Sequence, residues 1–207
     1  MNAGQLFATV TCLTGVILLL GWYYVAIDNP RSSTLLLKSV ALFVLPTFIL
    51  VALPQELFRF PLSLWIGALI EECLKGIAAA TERTRLNRFV LVALFGIWEL
   101  VWVKPLWGLN HSAFLADWNN MQLAALTAAA VVTVLMHCVT AEIYAFRFGG
   151  RLLYALPASW AVHVAFNESV GLLGVSLLAS AVQFLVVAVL FAVLWPKGFR
   201  LAFEQEC

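Results

Sequence analysis

Residues 61–80 read PLSLWIGALIEECLKGIAAA, and the reading of this stretch decides the fold. Its length is that of one membrane crossing, roughly 20 residues at about 1.5 Å each. Glu71, Glu72 and Lys75 stand in its middle. A single charge at the centre of a membrane helix costs about 2.5–3.5 kcal/mol on an insertion scale. A cluster of charges here cannot face lipid. It requires a pocket built by other helices, and the remainder of the chain has to supply it.

The remainder has the means. Hydrophobic residues make up 63% of the chain and charged residues 11%, where a soluble domain is about half apolar and about a quarter charged. The apolar residues come in runs of membrane-crossing length, the pattern of a polytopic helical membrane protein. The pattern predicts seven spans, over 5–26, 34–54, 61–80, 89–103, 121–146, 152–173 and 175–196. They tile nearly all of 1–207, so an all-α, single integral membrane domain is expected, with no soluble domain. Lys104 is expected to snorkel and Pro105 to end the short fourth span. Gly171 and Gly174 are expected to make the turn between the last two, and 104–120 reads as an interfacial connector.

Several classes are excluded. A net charge of +1 offers no basic surface for nucleic acid. Cys12, Cys73, Cys138 and Cys207 are scattered without a CxxC, which argues against a disulfide framework or a structural zinc. The first apolar run lacks a basic leader and a small-residue cleavage site, so it reads as a retained helix. Basic residues orient the chain. Arg31, Arg83, Arg85, Arg88, Arg147, Arg151, Lys197 and Arg200 flank one side, against Arg59 and Lys104 on the other. Cytoplasmic loops carry the excess, which predicts an outside N-terminus and a cytoplasmic C-terminus.

That topology aligns the polar residues. Counted from the cytoplasmic ends of their spans at about 1.5 Å per residue, Glu71, Glu99, His137 and His163 all lie about 13–16 Å deep. Glu71 and Lys75, Phe95 and Glu99, and His163 and Asn167 are each four residues apart and share a helix face. Glu142 and Glu168, near span ends, are expected to partner basic loops.

The residue types suggest a chemistry. A carboxylate in a low-dielectric pocket is a better proton acceptor than one in water. Glu72, Glu99, His137 and His163 are also the donor types that hold a divalent metal such as zinc with a bound water. Either arrangement activates water. Asn167 could hold a developing oxyanion, and Lys75 could neutralise whichever carboxylate is not the base. Neighbouring helical residues point about 100° apart, so one of Glu71 and Glu72 faces the water and the choice stays open. Taken singly, these residues also read as a register-setting ion pair or as hydrogen-bonded glue between helices. Their coincidence in one layer favours a site.

The ordered motifs carry a resemblance. Glu71-Glu72-Cys73-Leu74-Lys75 is similar to an EExxK motif, Phe95-Gly96-Ile97-Trp98-Glu99 to FxxxE, and His163-Val164-Ala165-Phe166-Asn167 to HxxxN, with His137 as a single-His motif between the last two. Over 60–170 this set resembles a superfamily that holds the CAAX prenyl endopeptidases, the PrsW-type intramembrane proteases and the scaffold subunit of gamma-secretase. Lys75 at its spacing, Glu99 in place of a histidine, and the additional His137 are similar to the PrsW type. The resemblance implies an intramembrane endopeptidase of a bacterial cytoplasmic membrane, acting on a membrane-anchored protein or peptide. It implies Glu71 or Glu72 as activator of water, His163 and Asn167 as ligands of the water or oxyanion, and Glu99 and His137 completing the site, with or without a metal.

The rivals are a CAAX-type prenyl endopeptidase, a non-catalytic scaffold, and a proton-coupled transporter using Glu71, Glu72, Glu99 and His163 as a relay. Other intramembrane protease patterns fail. HExxH is absent, Asp28 and Asp117 fall in loops, and Ser159, four residues before His163, lacks the GxSG context of a serine nucleophile.

Overall fold

The computed structural model describes residues 2–26, 31–47, 62–148 and 151–206. The described residues are helical throughout apart from short turns, with no strand among them. The order is α1 (Ala3–Ala26), α2 (Ser32–Ser39), α3 (Leu62–Thr81), α4 (Arg85–Trp98), α5 (Lys104–Asn110), α6 (Ser112–Leu115), α7 (Asn120–Glu142), α8 (Leu152–Leu173) and α9 (Leu177–Glu206). Wider, π-helical turns extend α2 (Val40–Val44), α4 (Glu99–Val103) and α7 (Ile143–Arg147). Among the described residues, Ala3–Tyr24, Arg85–Asn110 and Asn120–Arg147 are long and apolar enough to cross a membrane. Ser32–Thr47 and Leu177–Val193 are shorter apolar helices.

Described helices overlap each of the seven expected ranges, and the fourth and last run past their expected ends. Residues 48–54 of the second expected span lie outside the described residues, as do Asp28, Arg59, Pro61 and Cys207. The expected break at Pro105 is not there. Proline lacks an N–H, and its ring crowds the carbonyl four residues back. The widened turn Glu99–Val103 makes room for it, and the Lys104 N–H bonds the Glu99 carbonyl five residues back. The helix therefore runs on into α5, and α6 follows, so the connector expected over 104–120 is largely helical. Gly174, at φ +69°, ends α8 in a conformation that favours glycine, whereas Gly171 stays inside the helix. The last helix passes Pro196 and continues to Glu206. Local signals start the others: Thr84 accepts from the Asn87 N–H at 3.2 Å at the head of α4, and Asn119 with Gln122 forms a capping box on α7.

The core lies between α4 and α7. Phe89 and Val92 pack with Val132, Met136 and Val139, and Ala79 of α3 and Ala155 of α8 close on them. Gly96 permits the close approach. A Cβ there would stand 2.9 Å from the His137 side chain, nearer than real contacts allow. Glycine at this point brings α7 against α4 and sets His137 beside Glu99. On the other flank α1 packs on α5, with the Phe7 and Trp107 rings 6.0 Å apart. Trp98 donates to Ser39 Oγ at 2.8 Å, and Lys38 pairs with Glu82, which ties α2 to α4 and to the end of α3.

Candidate functional site

The charges of 61–80 do turn inward, toward α7 and α8. Glu72 is fully buried. Its Oε1 accepts from Lys75 Nζ at 2.5 Å and lies 2.9 Å from His163 Nδ1, while Oε2 accepts from Ser159 Oγ at 2.5 Å. Tyr144, inside the π-helical turn after α7, donates its hydroxyl to the Glu72 backbone carbonyl at 2.8 Å. Lys75 Nζ also reaches Thr140 Oγ1 at 3.4 Å and sits 4.9 Å from the centre of the Phe95 ring. Of the two carboxylates between which the choice stood open, Lys75 pairs with Glu72, three residues before it, and not with Glu71, four residues before it. Glu72 and Lys75 point into the bundle together, and Glu71 is turned about 100° away.

Glu71 is placed differently. Its side chain keeps 23% exposure, and its Oε2 lies 3.6 Å from His163 Nε2. That oxygen finds no hydrogen-bond partner among the described residues. His163 thus stands between the two glutamates. A carboxylate oxygen only accepts, so Nδ1 carries the proton shared with Glu72. In the neutral ring this leaves a lone pair on Nε2, facing Glu71.

A second network adjoins the first. His137 Nε2 meets Glu99 Oε2 at 2.5 Å, and Lys104 Nζ meets Glu99 Oε1 at 2.7 Å. The His137 and His163 rings are perpendicular, 5.5 Å apart. Lys104 does not snorkel as expected. On an α-helix a residue five positions on is about 140° round. The π-helical turn brings the fifth residue back over Glu99, where the ammonium finds a carboxylate. Asn167, one turn beyond His163, lines a cavity of about 290 Å³ together with Lys104.

Glu71, Glu99 and His137 each offer a donor atom within 4.8 Å of the others. The expected metal set differs, because Glu72 is held by Lys75, Ser159 and His163. The donor types suit zinc, but their arrangement does not. His137 Nε2 and Glu99 Oε2 are 2.5 Å apart, whereas two ligands of a tetrahedral zinc at about 2.0–2.1 Å lie about 3.3 Å from each other. Lys104 occupies the other Glu99 oxygen. The group fits a hydrogen-bonded chain better than a divalent ion.

Glu168 does not partner a basic loop among the described residues, whereas Glu142 keeps a charge interaction with Arg147 at the end of the π-helical turn. Glu168 accepts from Trp65 Nε1 at 2.7 Å, across from α3 to α8. Glu142 is 1% exposed, and its Oε2 has no hydrogen-bond partner among the described residues. It lies in the run of buried residues from Val139 to Ala145, where α7 passes into its π-helical turn inside the bundle. Sequence reasoning passed over Lys104, Thr140, Tyr144 and Ser159 as members of the site. Ser159 had a signal, its spacing from His163, but its hydroxyl is directed at Glu72. No protein-family model, curated protein or solved structure matches this chain, and the geometry carries the functional argument.

Proposed function

We propose that this chain is a PrsW-like intramembrane endopeptidase, with Glu71 as the base that activates water. The observation that carries the proposal is the contrast between adjacent carboxylates. Glu72 is saturated by Lys75, Ser159 and His163. Glu71 presents an oxygen without a partner among the described residues, 3.6 Å from a histidine nitrogen. A water between Glu71 and His163 Nε2 would donate a hydrogen bond to each.

In the reaction, Glu71 takes one proton as the water oxygen bonds to the peptide carbonyl carbon. The carbonyl oxygen becomes an oxyanion, met by the Asn167 amide and the Lys104 ammonium on the adjoining wall. As the tetrahedral species collapses, the C–N bond breaks and Glu71 returns its proton to the leaving nitrogen. A carboxylic acid and an amine are released, and the acid's proton passes to the amine to give a carboxylate and an ammonium. Glu72 acts through His163 as a positioning residue, fixed by Lys75 and Ser159. Glu99 aligns Lys104 and His137.

The expected topology completes the reading: seven spans in a bacterial cytoplasmic membrane, N-terminus outside and C-terminus cytoplasmic. Cleavage then falls about 13–16 Å from the cytoplasmic face, within reach of a membrane-anchored protein or peptide. The completeness of the Glu72 network favours one rival, a non-catalytic scaffold. Enrichment of new protein N-termini in host membranes separates the two, comparing wild type with Glu71→Gln at equal expression. Termini near the transmembrane segments of other proteins, present only with wild type, are expected. Identical termini from two correctly inserted proteins would transfer the case to the scaffold.

A further inference from the structure

The cavity beside the site has a mostly apolar body. Phe7 of α1, Leu126 and Ala130 of α7 and Phe166 of α8 line it, and Lys104 and Asn167 add polar groups to its wall. Lys104 is bonded to Glu99 at 2.7 Å, and Asn167 follows one turn after His163 on α8. Lys104 therefore joins the cavity wall to the Glu99–His137 network. Thr133 also lines the wall, but its hydroxyl donates to the Ala129 carbonyl at 3.0 Å, so it makes no demand on an occupant. The volume is about 290 Å³, and a cavity of about 150 Å³ already admits benzene.

We propose that this cavity is a specificity subsite that receives a large apolar side chain of the substrate, next to the peptide bond to be cut. The proposal rests on the endopeptidase reading. A carbonyl presented to Glu71 and His163 places its oxygen toward Asn167 and Lys104, and the adjoining side chain enters the apolar body. The small side chains of Ala129 and Ala130 set the width. Phe, Leu and Met fill it. Gly and Ala leave it open, and a charged side chain would lose its hydration without gaining a partner. Each methylene buried in such a pocket is worth roughly 10- to 200-fold in selectivity.

The test uses the full chain in lipid nanodiscs and a set of apolar, transmembrane-like peptides that differ at the residues flanking a central bond, with cleavage sites read by mass spectrometry. Wild type is expected to cut beside Phe, Leu or Met at one flanking position, at least ten-fold faster than beside Ala. Ala129→Phe fills the cavity and should reverse that preference at the same position, leaving the other positions unchanged. Leu126→Ala widens it and should raise the preference for Phe over Leu. Cleavage with the same size preference in wild type and both variants overturns the subsite and leaves the endopeptidase intact. If wild type cuts none of the peptides, the endopeptidase reading falls and the subsite falls with it.

Discussion

On the α8 side of α3, the Glu72 carboxylate receives Lys75 and Ser159 at 2.5 Å and faces His163 at 2.9 Å. One residue earlier, about 100° round the same helix, Glu71 keeps partial exposure and an oxygen without a hydrogen bond among the described residues. The first region is closed, with donors matched to acceptors, and fixes how α3, α7 and α8 meet. The second is unmatched, with its Oε2 3.6 Å from His163 Nε2 and no hydrogen bond among the described residues. In a low-dielectric interior an unmatched polar atom is costly, and it persists where something else offsets it. Two residues of one type on one helix are thus given different surroundings by their neighbours, and the proposed function assigns the holding role to one and the reacting role to the other.

The contrast is broken most severely at Glu71. Glu71→Gln removes the base and is expected to lower peptide cleavage by about 100- to 10,000-fold, with thermal unfolding in detergent little changed. Equal loss of folding and activity would remove the distinction between the two glutamates. Glu72→Gln should act on stability instead, because it leaves the buried Lys75 ammonium poorly compensated. Losing one member of a buried ion pair costs about 3–5 kcal/mol, which a large drop in unfolding temperature would register. Adding Lys75→Met to Glu72→Gln should cost less than the two single changes summed, since the residues touch.

Smaller effects sharpen the same line. Lys104→Met removes a charge-assisted hydrogen bond worth about 1.5–3 kcal/mol, so cleavage should fall roughly 10- to 100-fold, with a smaller loss of stability than Glu72→Gln because Lys104 is partly exposed. Gly96→Ala inserts a methyl 2.9 Å from His137. Overpacking of this kind costs about 1–3 kcal/mol, to be read as a modest fall in unfolding temperature with loss of activity as His137 shifts from Glu99. The smallest expected effect is none: treatment with a zinc chelator should leave the cleavage rate unchanged. Chelator inhibition reversed by added zinc would mean that Glu99 and His137 separate to admit an ion.

Much of this was legible in the residues. Apolar runs marked where the helices lie, because a membrane-length helix is announced by composition, but not their ends, since the fourth runs on to Asn110 and the last to Glu206. The spacings from Glu71 to Lys75 and from His163 to Asn167 placed polar residues on the right helices. The partners were less legible. Thr9, Thr11, Thr14, Thr47 and Thr127 all give their hydroxyls to carbonyls one turn back on their own helix. A hydroxyl inside an apolar helix is therefore no signal by itself. Ser159 and Tyr144 differ only in where they point, which packing decides. Lys104 was hidden for another reason: every spacing rule assumed 3.6 residues per turn, and the chain departs from it between Glu99 and Lys104.

That departure makes 85–110 behave like a rod with one extra residue wound into it. Side chains before the turn and after it follow the same period but differ in phase by about 100°. The upstream phase presents Phe95 and Glu99 to the histidines, and the downstream phase presents Trp107 to Phe7. Removing a single residue between 99 and 103 would restore one phase throughout. Every side chain from Lys104 onward would swing round the axis, and the cavity wall would rotate out of step with the chemistry. Chain length at this point, without any change of residue type, is a control on whether the two halves of the site face each other.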